Sequence, residues 1–206
     1  MTLAIIGSGI AGSRLSHGDQ GFTLLANSIA TGLVLVAIIL ALGSVSGGQL
    51  NPAVTLVAWM TGGLSRSEAG IYALAQLGGA VLGAIIANAI FGLSAIDLSD
   101  QVRSGWELWT SEILATLGLV LVIFGIIRFG RPAAVPFAVG AYIAAAILFT
   151  SSTAFANPAA TLARSLTDTF AGIAPESVPG FVIAKFFGDG LALVAIRFLF
   201  PGPSVD

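Results

Sequence analysis

Long apolar stretches alternate with short polar connections along the whole chain. Six stretches are apolar enough for membrane-spanning helices, and they cover residues 2–15, 22–42, 69–93, 106–127, 133–149 and 178–200. The second, third, fourth and sixth reach the length of about 20 residues that crossing a bilayer requires. The pattern therefore predicts an all-α membrane protein with six transmembrane helices, of which the first and the fifth are short.

Two further segments are about half as long as a membrane span and contain the same three residues. They cover residues 50–60 and 157–166, and the shared tripeptides are Asn51-Pro52-Ala53 and Asn157-Pro158-Ala159. Proline at the first helical position loses no hydrogen bond, and asparagine directly before it is a good N-cap. Each tripeptide therefore predicts the start of a short helix that re-enters the membrane.

The repeated tripeptide divides a single domain, residues 1–206, into two related units. The units cover about residues 1–95 and 104–200, and each is predicted to hold three spans and one half-helix. Because three is odd, the two units cross the membrane in opposite directions, which makes them an inverted repeat. Helix ends inside a membrane leave N–H groups unpaired, and these are tolerated only along a water-filled path. The repeat thus predicts a pore where two positive helix ends repel cations and where Asn51 and Asn157 donate hydrogen bonds to neutral solutes.

The composition supports a surface in contact with lipid and excludes several functions. Hydrophobic residues make up 56% of the chain and charged residues 9%, whereas a soluble domain carries about 25% charged residues. The formal charge of -2 provides no basic surface for nucleic acid. Because the chain has no cysteine, one histidine and no carboxylate pair, we predict no thiolate metal site and no enzymatic activity.

Arginines are unevenly divided between the two sides of the predicted bundle. If each full span reverses the chain direction, one side carries Arg66, Arg128, Arg131 and Arg197, and the other carries Arg14, Arg103 and Arg164. The positive-inside rule then places both termini in the cytoplasm. We expect the chain to lie in the cytoplasmic (inner) membrane.

The segments SGGQLNPAVTL and FANPAATLARSLTDTFAGIAP resemble the two signature loops of the major intrinsic proteins, the aquaporins and glycerol facilitators. The resemblance runs from about residue 5 to residue 200. It implies an aquaporin-like bundle of six transmembrane helices and two re-entrant half-helices. It also implies a homotetramer with one pore in each subunit, which conducts water or small uncharged solutes passively and without a cofactor.

The resemblance also assigns roles to individual residues. Glu112 lies inside the fourth span, where an ionisable side chain is costly and usually functional, and the family uses a glutamate here to hold the backbone of the half-helix loop. In water-selective members, four positions form a narrow constriction, and one of them is an arginine directly after the second tripeptide. The corresponding positions here are Thr31, Ile147 or Ala145, Ala154 and Ala160. This ring has no charge, so we expect glycerol or a neutral metalloid acid to pass together with water.

Two charged residues lie beyond these positions and leave alternatives open. Arg164 lies one helical turn past Ala160 and either stands in the pore vestibule or pairs with Asp168, and we expect the pairing. Lys185 and Asp189 are four residues apart in the sixth span, so we expect them to pair with each other.

Two rival functions remain at this point. One is an ion-coupled transporter built on the same inverted repeat, which needs an ionisable group near its binding site. The other is a non-conducting, truncated member of the family. Aligning LVLVIFG, which ends at Gly125, with MTLAIIG, which ends at Gly7, places the counterpart of Glu112 before Met1. We therefore expect the first helix to lack its cytoplasmic half.

Overall fold

A computed structural model describes residues 1–200, and every regular element in this range is helical. The eight α-helices are α1 (Thr2–Leu15), α2 (Gln20–Ser46), α3 (Pro52–Met60), α4 (Arg66–Ile90), α5 (Trp106–Arg128), α6 (Val135–Phe149), α7 (Pro158–Arg164) and α8 (Val178–Leu199). The first unit of the repeat contains α1 to α4 and the second contains α5 to α8. In each unit the third helix is short, with nine residues in α3 and seven in α7. The predicted all-α bundle with two half-helices is confirmed.

The outer surface of the bundle is apolar. Four helical segments within residues 1–200 are long and apolar enough to cross a membrane, namely α2, α4, α5 and the segment Pro132–Phe149 that contains α6. Leu33, Leu74 and Val194 are largely exposed on the outside of their helices. Contiguous apolar surface of this kind is not stable in water, so the surrounding solvent is lipid.

Each half-helix packs against helices of both units. The half-helix α7 lies against α4 and α1 of the first unit, where Ala159 and Ala163 join a buried cluster with Ile6 and Ala84. The half-helix α3 contacts α4 of its own unit and α8 of the second, and Val57 is buried there. The two units are therefore interlocked through their half-helices and form one packed body.

The first helix is shorter than its counterpart in the second unit. It has 14 residues, whereas α5 has 23. The sequence-based expectation about residues before Met1 stays a prediction.

Glycines bring α2 of the first unit close to α6 of the second. A Cβ atom at Gly32 would lie 2.7 Å from the carbonyl oxygen of Gly140 and 2.9 Å from Cβ of Ala144. Ser28, one turn away, donates a hydrogen bond of 2.6 Å to the carbonyl oxygen of Ala144. The two helix backbones can approach this closely because glycine, at Gly32 on α2 and at Gly140 on α6, has no side chain to separate them.

Replacing Gly32 with alanine should force α2 and α6 apart and destabilise the fold by about 1–3 kcal/mol, the usual cost of overpacking. The matched control is Gly43→Ala in the same helix, where an added Cβ would meet nothing within 4 Å. That variant should be neutral or more stable by about 0.5–1 kcal/mol, because alanine favours a helix interior over glycine. Thermal unfolding of the two purified variants in detergent checks this, and an equal loss in both would contradict the close-contact explanation.

Candidate functional site

The two Asn-Pro-Ala tripeptides begin the two half-helices. Asn51 has an extended backbone (φ -145°, ψ 118°), and its Oδ1 accepts a hydrogen bond of 3.0 Å from the backbone N–H of Ala53. Asn157 has nearly the same backbone angles (φ -146°, ψ 113°) and accepts from the N–H groups of Ala159 and Ala160. Both asparagines are therefore N-caps, and the prolines after them occupy the first helical position.

The same two side chains join the half-helices tip to tip. The Nδ2 atom of Asn51 donates a hydrogen bond of 2.7 Å to the carbonyl oxygen of Ala156, in the loop before α7. The Nδ2 atom of Asn157 donates one of 2.9 Å to the carbonyl oxygen of Leu50, in the loop before α3, and lies 3.9 Å from Sδ of Met1. Each amide thus caps its own half-helix and also fixes the loop of the other.

A cavity of about 510 Å³ passes these two amides. At one end, called here the Phe155 end, its wall contains Thr153, Phe155 and Arg164, and at the opposite Arg128 end it contains Gly62 and Arg128. The two ends of the cavity lie at opposite ends of α5. The Phe155 end is near the first turn of α5, because Ser151, two residues before Thr153, donates to the carbonyl oxygen of Glu107 there. The Arg128 end is at the last residue of α5. A helix of 23 residues is about 34 Å long, similar to the hydrocarbon thickness of a bilayer.

The wall of the cavity is polar on one side and apolar on the other. Asn27 and Thr31 lie one turn apart on α2, and both line the cavity. The opposite wall is made of aliphatic side chains of α5 and α6, namely Leu119, Ile123, Val139, Ile143 and Ile147. The hydroxyl of Thr31 is buried and has no hydrogen-bond partner within residues 1–200. Sequence reasoning missed Asn27, although its spacing of four from Thr31 places both on one helix face.

The four positions that the resemblance assigns to the constriction are not equivalent in the structure. Thr31, Ile147 and Ala154 line the cavity. Ala145, the alternative to Ile147, is exposed on the surface of the chain and is absent from the cavity wall. Ala160 is buried within the packing of α7 and is also absent from that wall.

Glu112 supports the loop that precedes α7. Its Oε1 accepts a hydrogen bond of 2.9 Å from the N–H of Phe155, and its Oε2 accepts one of 3.0 Å from the N–H of Ala156. The loop needs this support because Thr153, Ala154 and Ala156 have positive φ angles of 61°, 42° and 44°, a conformation that costs non-glycine residues about 1 kcal/mol or more. This contact is the one that the resemblance implies for Glu112.

Lys185 pairs with Glu112 and not with Asp189, so the predicted pair is wrong. The Nζ atom of Lys185 lies 2.6 Å from Oε2 of Glu112, and both side chains are completely buried. Lys185 also donates to the carbonyl oxygen of Phe181, one turn earlier in α8. Neither carboxylate oxygen of Asp189 has a hydrogen-bond partner within residues 1–200. The prediction failed because it considered neighbours within one helix, whereas α8 packs along α5.

Arg164 does not pair with Asp168, which corrects the second predicted contact. Its Nε–H donates to the carbonyl oxygen of Ala171, and its guanidinium carbon lies 3.3 Å from the ring centroid of Phe155. Asp168 is exposed, and its Oδ1 accepts hydrogen bonds from the hydroxyl of Ser99 and the N–H of Asp100. Arg164 is instead buried with its side chain on the cavity wall.

A second arginine, which sequence reasoning did not single out, approaches the same aromatic ring. The guanidinium carbon of Arg103 lies 5.5 Å from the centroid of Phe155. Arg103 donates hydrogen bonds to the carbonyl oxygens of Gly172 and Phe170. Burial lowers the pKa of the Arg103 side chain, but a guanidinium stays protonated in proteins, so its charge is retained.

Residues 1–171 match the family model described as Major intrinsic protein. The chain belongs to the major intrinsic protein family. It is 47% identical to Aquaglyceroporin AqpS of Rhizobium meliloti over 199 residues, which are 97% of this chain and 84% of that protein. It is 35% identical to Probable aquaporin TIP1-2 of Oryza sativa subsp. japonica over 74% of this chain, and 34% identical to Lens fiber major intrinsic protein of Gallus gallus over 68%. The matches span 65% of the rice protein and 55% of the chicken protein.

Membership in the major intrinsic protein family establishes the class of the molecule. Its members are channels and not enzymes, and the apolar helices of this chain agree with an integral membrane protein. The predicted family and the predicted absence of enzymatic activity are therefore confirmed.

Removing one member of the buried pair should destabilise the protein more than removing both. Lys185→Met leaves the carboxylate of Glu112 buried without its counter-charge, and we expect a loss of about 3–5 kcal/mol. The double variant Glu112→Gln with Lys185→Met has no uncompensated charge, so it should lose less than the sum of the two single changes.

Thermal unfolding of the single and double variants in detergent measures this coupling. The control is Glu107→Gln, because Glu107 is exposed in the first turn of the same helix, and it should change stability by less than about 0.5 kcal/mol. Strictly additive losses would show that the two side chains do not act as a pair.

Proposed function

We propose that this protein is a passive transmembrane channel for water and for small uncharged solutes such as glycerol or neutral metalloid acids. The observation that carries the proposal is the cavity that reaches from the Phe155 end to the Arg128 end past both capping asparagines. A continuous path with hydrogen-bond donors at its centre suits neutral polar solutes. The relative named Aquaglyceroporin, at 47% identity, supports the same solute class.

The cavity has one polar wall and one apolar wall, which favours a solute that has one polar side and one apolar side. Asn27 and Thr31 place polar side chains on one side, while Ile143 and Ile147 offer apolar contact on the other. A polyol has hydroxyl groups along one edge and carbon along the other, so it fits both walls at once. The polar wall partly replaces the hydrogen bonds that the solute loses with water, and the apolar wall contacts carbon, whose desolvation costs little.

The constriction that we propose is formed by Thr31, Ile147 and Ala154, with Ala160 at the position where an arginine narrows water-selective relatives. Without a long charged side chain at position 160, the ring excludes less by size. We also propose that the chain lies in the cytoplasmic (inner) membrane as a homotetramer with both termini in the cytoplasm. Homotetrameric assembly is supported by the family relationship, and the orientation by the arginines Arg66, Arg128, Arg131 and Arg197 on one side.

Stopped-flow swelling of proteoliposomes tests the proposed function directly. Vesicle volume should change faster than in protein-free vesicles after an osmotic shift, which reports water flux, and after an inward gradient of glycerol or arsenous acid, which reports solute flux. Each flux should be proportional to its gradient. A flux that saturates and depends on a Na⁺ or H⁺ gradient would indicate an ion-coupled transporter. The absence of any added flux from correctly inserted protein would indicate a non-conducting member of the family.

Bulk added at Thr31 should reduce glycerol flux more than water flux. Thr31→Phe fills part of the cavity, and we expect the ratio of glycerol to water permeability to fall at least about tenfold, equivalent to about 1.4 kcal/mol of barrier. Thr31→Val has nearly the shape of threonine without its hydroxyl, so it separates bulk from hydrogen bonding. In Thr31→Val, the water and glycerol permeabilities should therefore change by similar factors. If Thr31→Phe leaves the ratio unchanged, the constriction does not include Thr31.

A further inference from the structure

Three cationic side chains surround the ring of Phe155 at one end of the channel. Arg164, Arg103 and Lys185 approach its centroid to 3.3, 5.5 and 5.7 Å. Glu112 is the carboxylate of this cluster, and its ion pair with Lys185 cancels one positive charge. Within residues 1–200, neither arginine has a carboxylate oxygen within 4.0 Å. The Phe155 end therefore retains the charge of two guanidinium groups.

Arg164 reaches the cavity from the last residue of α7. It lies one turn past Ala160, yet it lines the cavity that Ala160 does not reach. Two contacts fix its guanidinium: the Nε–H donates to the carbonyl oxygen of Ala171, and the planar group lies over the face of Phe155. Phe155 is itself fixed, because its backbone N–H donates to Glu112 and its ring packs edge-on against Phe181 at 5.1 Å. The charge is thus held at the wall and does not extend freely into the path.

Arg103 carries the second charge near the Phe155 end. It lines an adjoining cavity of about 400 Å³, together with Gln20, Gln101, Thr153 and other residues. Thr153 lines both cavities, so the two spaces meet at this residue. A solute that enters through the second cavity passes Arg103 before it reaches Arg164.

We propose that Arg164 and Arg103, placed around Phe155, form a two-arginine charge barrier that excludes cations from this channel while leaving the path wide enough for neutral solutes. The inference rests on the proposed function and deepens it by assigning charge selection and size selection to different residues. Confined positive charges near low-dielectric walls strongly raise the energy of a cation in the path, whereas a neutral solute of equal size is unaffected. The half-helix dipoles at Asn51 and Asn157 add to this barrier farther along.

Urea and guanidinium provide a matched pair of probes, because the two molecules are planar and similar in size but differ in charge. The measured quantity is the ratio of guanidinium to urea permeability in one batch of proteoliposomes, which removes differences in the amount of inserted protein. In the wild type this ratio should be low. Arg164→Gln should raise it at least about tenfold, and Arg103→Gln should raise it by a smaller factor of about three, because Arg103 is less buried and better screened.

Two further measurements separate charge from structure. Arg164→Lys keeps the charge but loses the planar contact with Phe155, so its ratio should remain nearer to the wild type than to Arg164→Gln. Raising the ionic strength from about 0.01 M to about 1 M shortens the screening length from about 30 Å to about 3 Å, so it should raise the wild-type ratio.

Arg14→Gln is the matched control, since Arg14 also contacts a phenylalanine ring and a carbonyl oxygen, those of Phe91, but lines neither cavity. Its ratio should equal that of the wild type.

The outcomes distinguish the two proposals. If the wild type conducts neither water nor urea, the proposed function fails. If it conducts urea and Arg164→Gln leaves the ratio unchanged, the charge barrier is overturned while the proposed function stands. An equal rise in Arg164→Lys and Arg164→Gln would also overturn it, because the loss would then follow the shape of the side chain and not its charge. If Arg164→Gln fails to insert, the salt dependence of the wild type and the Arg103→Gln variant decide: an unchanged ratio in both overturns the barrier.

Discussion

Backbone hydrogen bonding inside the membrane is the constraint on which the rest of this structure depends. Lipid offers no partner to an unpaired N–H or carbonyl group, so non-helical backbone at membrane depth must be satisfied by the protein. The loops before α3 and α7 are such segments. Three polar side chains meet this need: Asn51 and Asn157 bond the opposite loop, and Glu112 accepts from the N–H groups of Phe155 and Ala156. The path past the half-helix tips exists because these contacts hold both loops in place.

The use of a carboxylate for this purpose imposes a second requirement. A buried charge without a partner costs several kcal/mol, and Lys185 supplies the opposite charge at 2.6 Å. The pair is neutral as a unit, so Glu112 does not cancel the charge of Arg164. In this way one buried ion pair stabilises the loop, and within residues 1–200 it leaves the two arginines near Phe155 without a carboxylate partner.

In the proposed function, size and charge are controlled by separate parts of the wall. The aliphatic side chains of α5 and α6 line the cavity together with Thr31 on α2, whereas Arg164 lines it at the Phe155 end. Arg164 lies against the ring of Phe155 and is bonded to Ala171, so its charge is near the path without filling it. An arginine at position 160 would combine both roles in one side chain. Under the proposed charge barrier, this separation would let a wide channel still select against cations.

Much of the architecture follows from the sequence alone. Apolar segments of about 20 residues are typical of membrane spans, and the repeated Asn-Pro-Ala favours a helix start, so the all-α bundle, the two half-helices and the family were all predictable from local pattern. The capping roles of Asn51 and Asn157 are equally local, since a cap bonds its own helix within three residues.

The partners of the buried charges were decided by tertiary packing. Lys185 has a carboxylate one turn away in Asp189, which makes that pair reasonable on an isolated helix, but α8 lies along α5 and brings Glu112 closer. Arg164 likewise has Asp168 nearby in sequence, yet the chain turns so that Ala171 and Phe155 surround the guanidinium while Asp168 stays in the exposed connection. Sequence patterns determine what each helix must bury and where it begins. Which charged groups meet depends on how separate helices approach one another, because electrostatic energy depends on distance in space and on exclusion of water, and neither is encoded by spacing along a single helix.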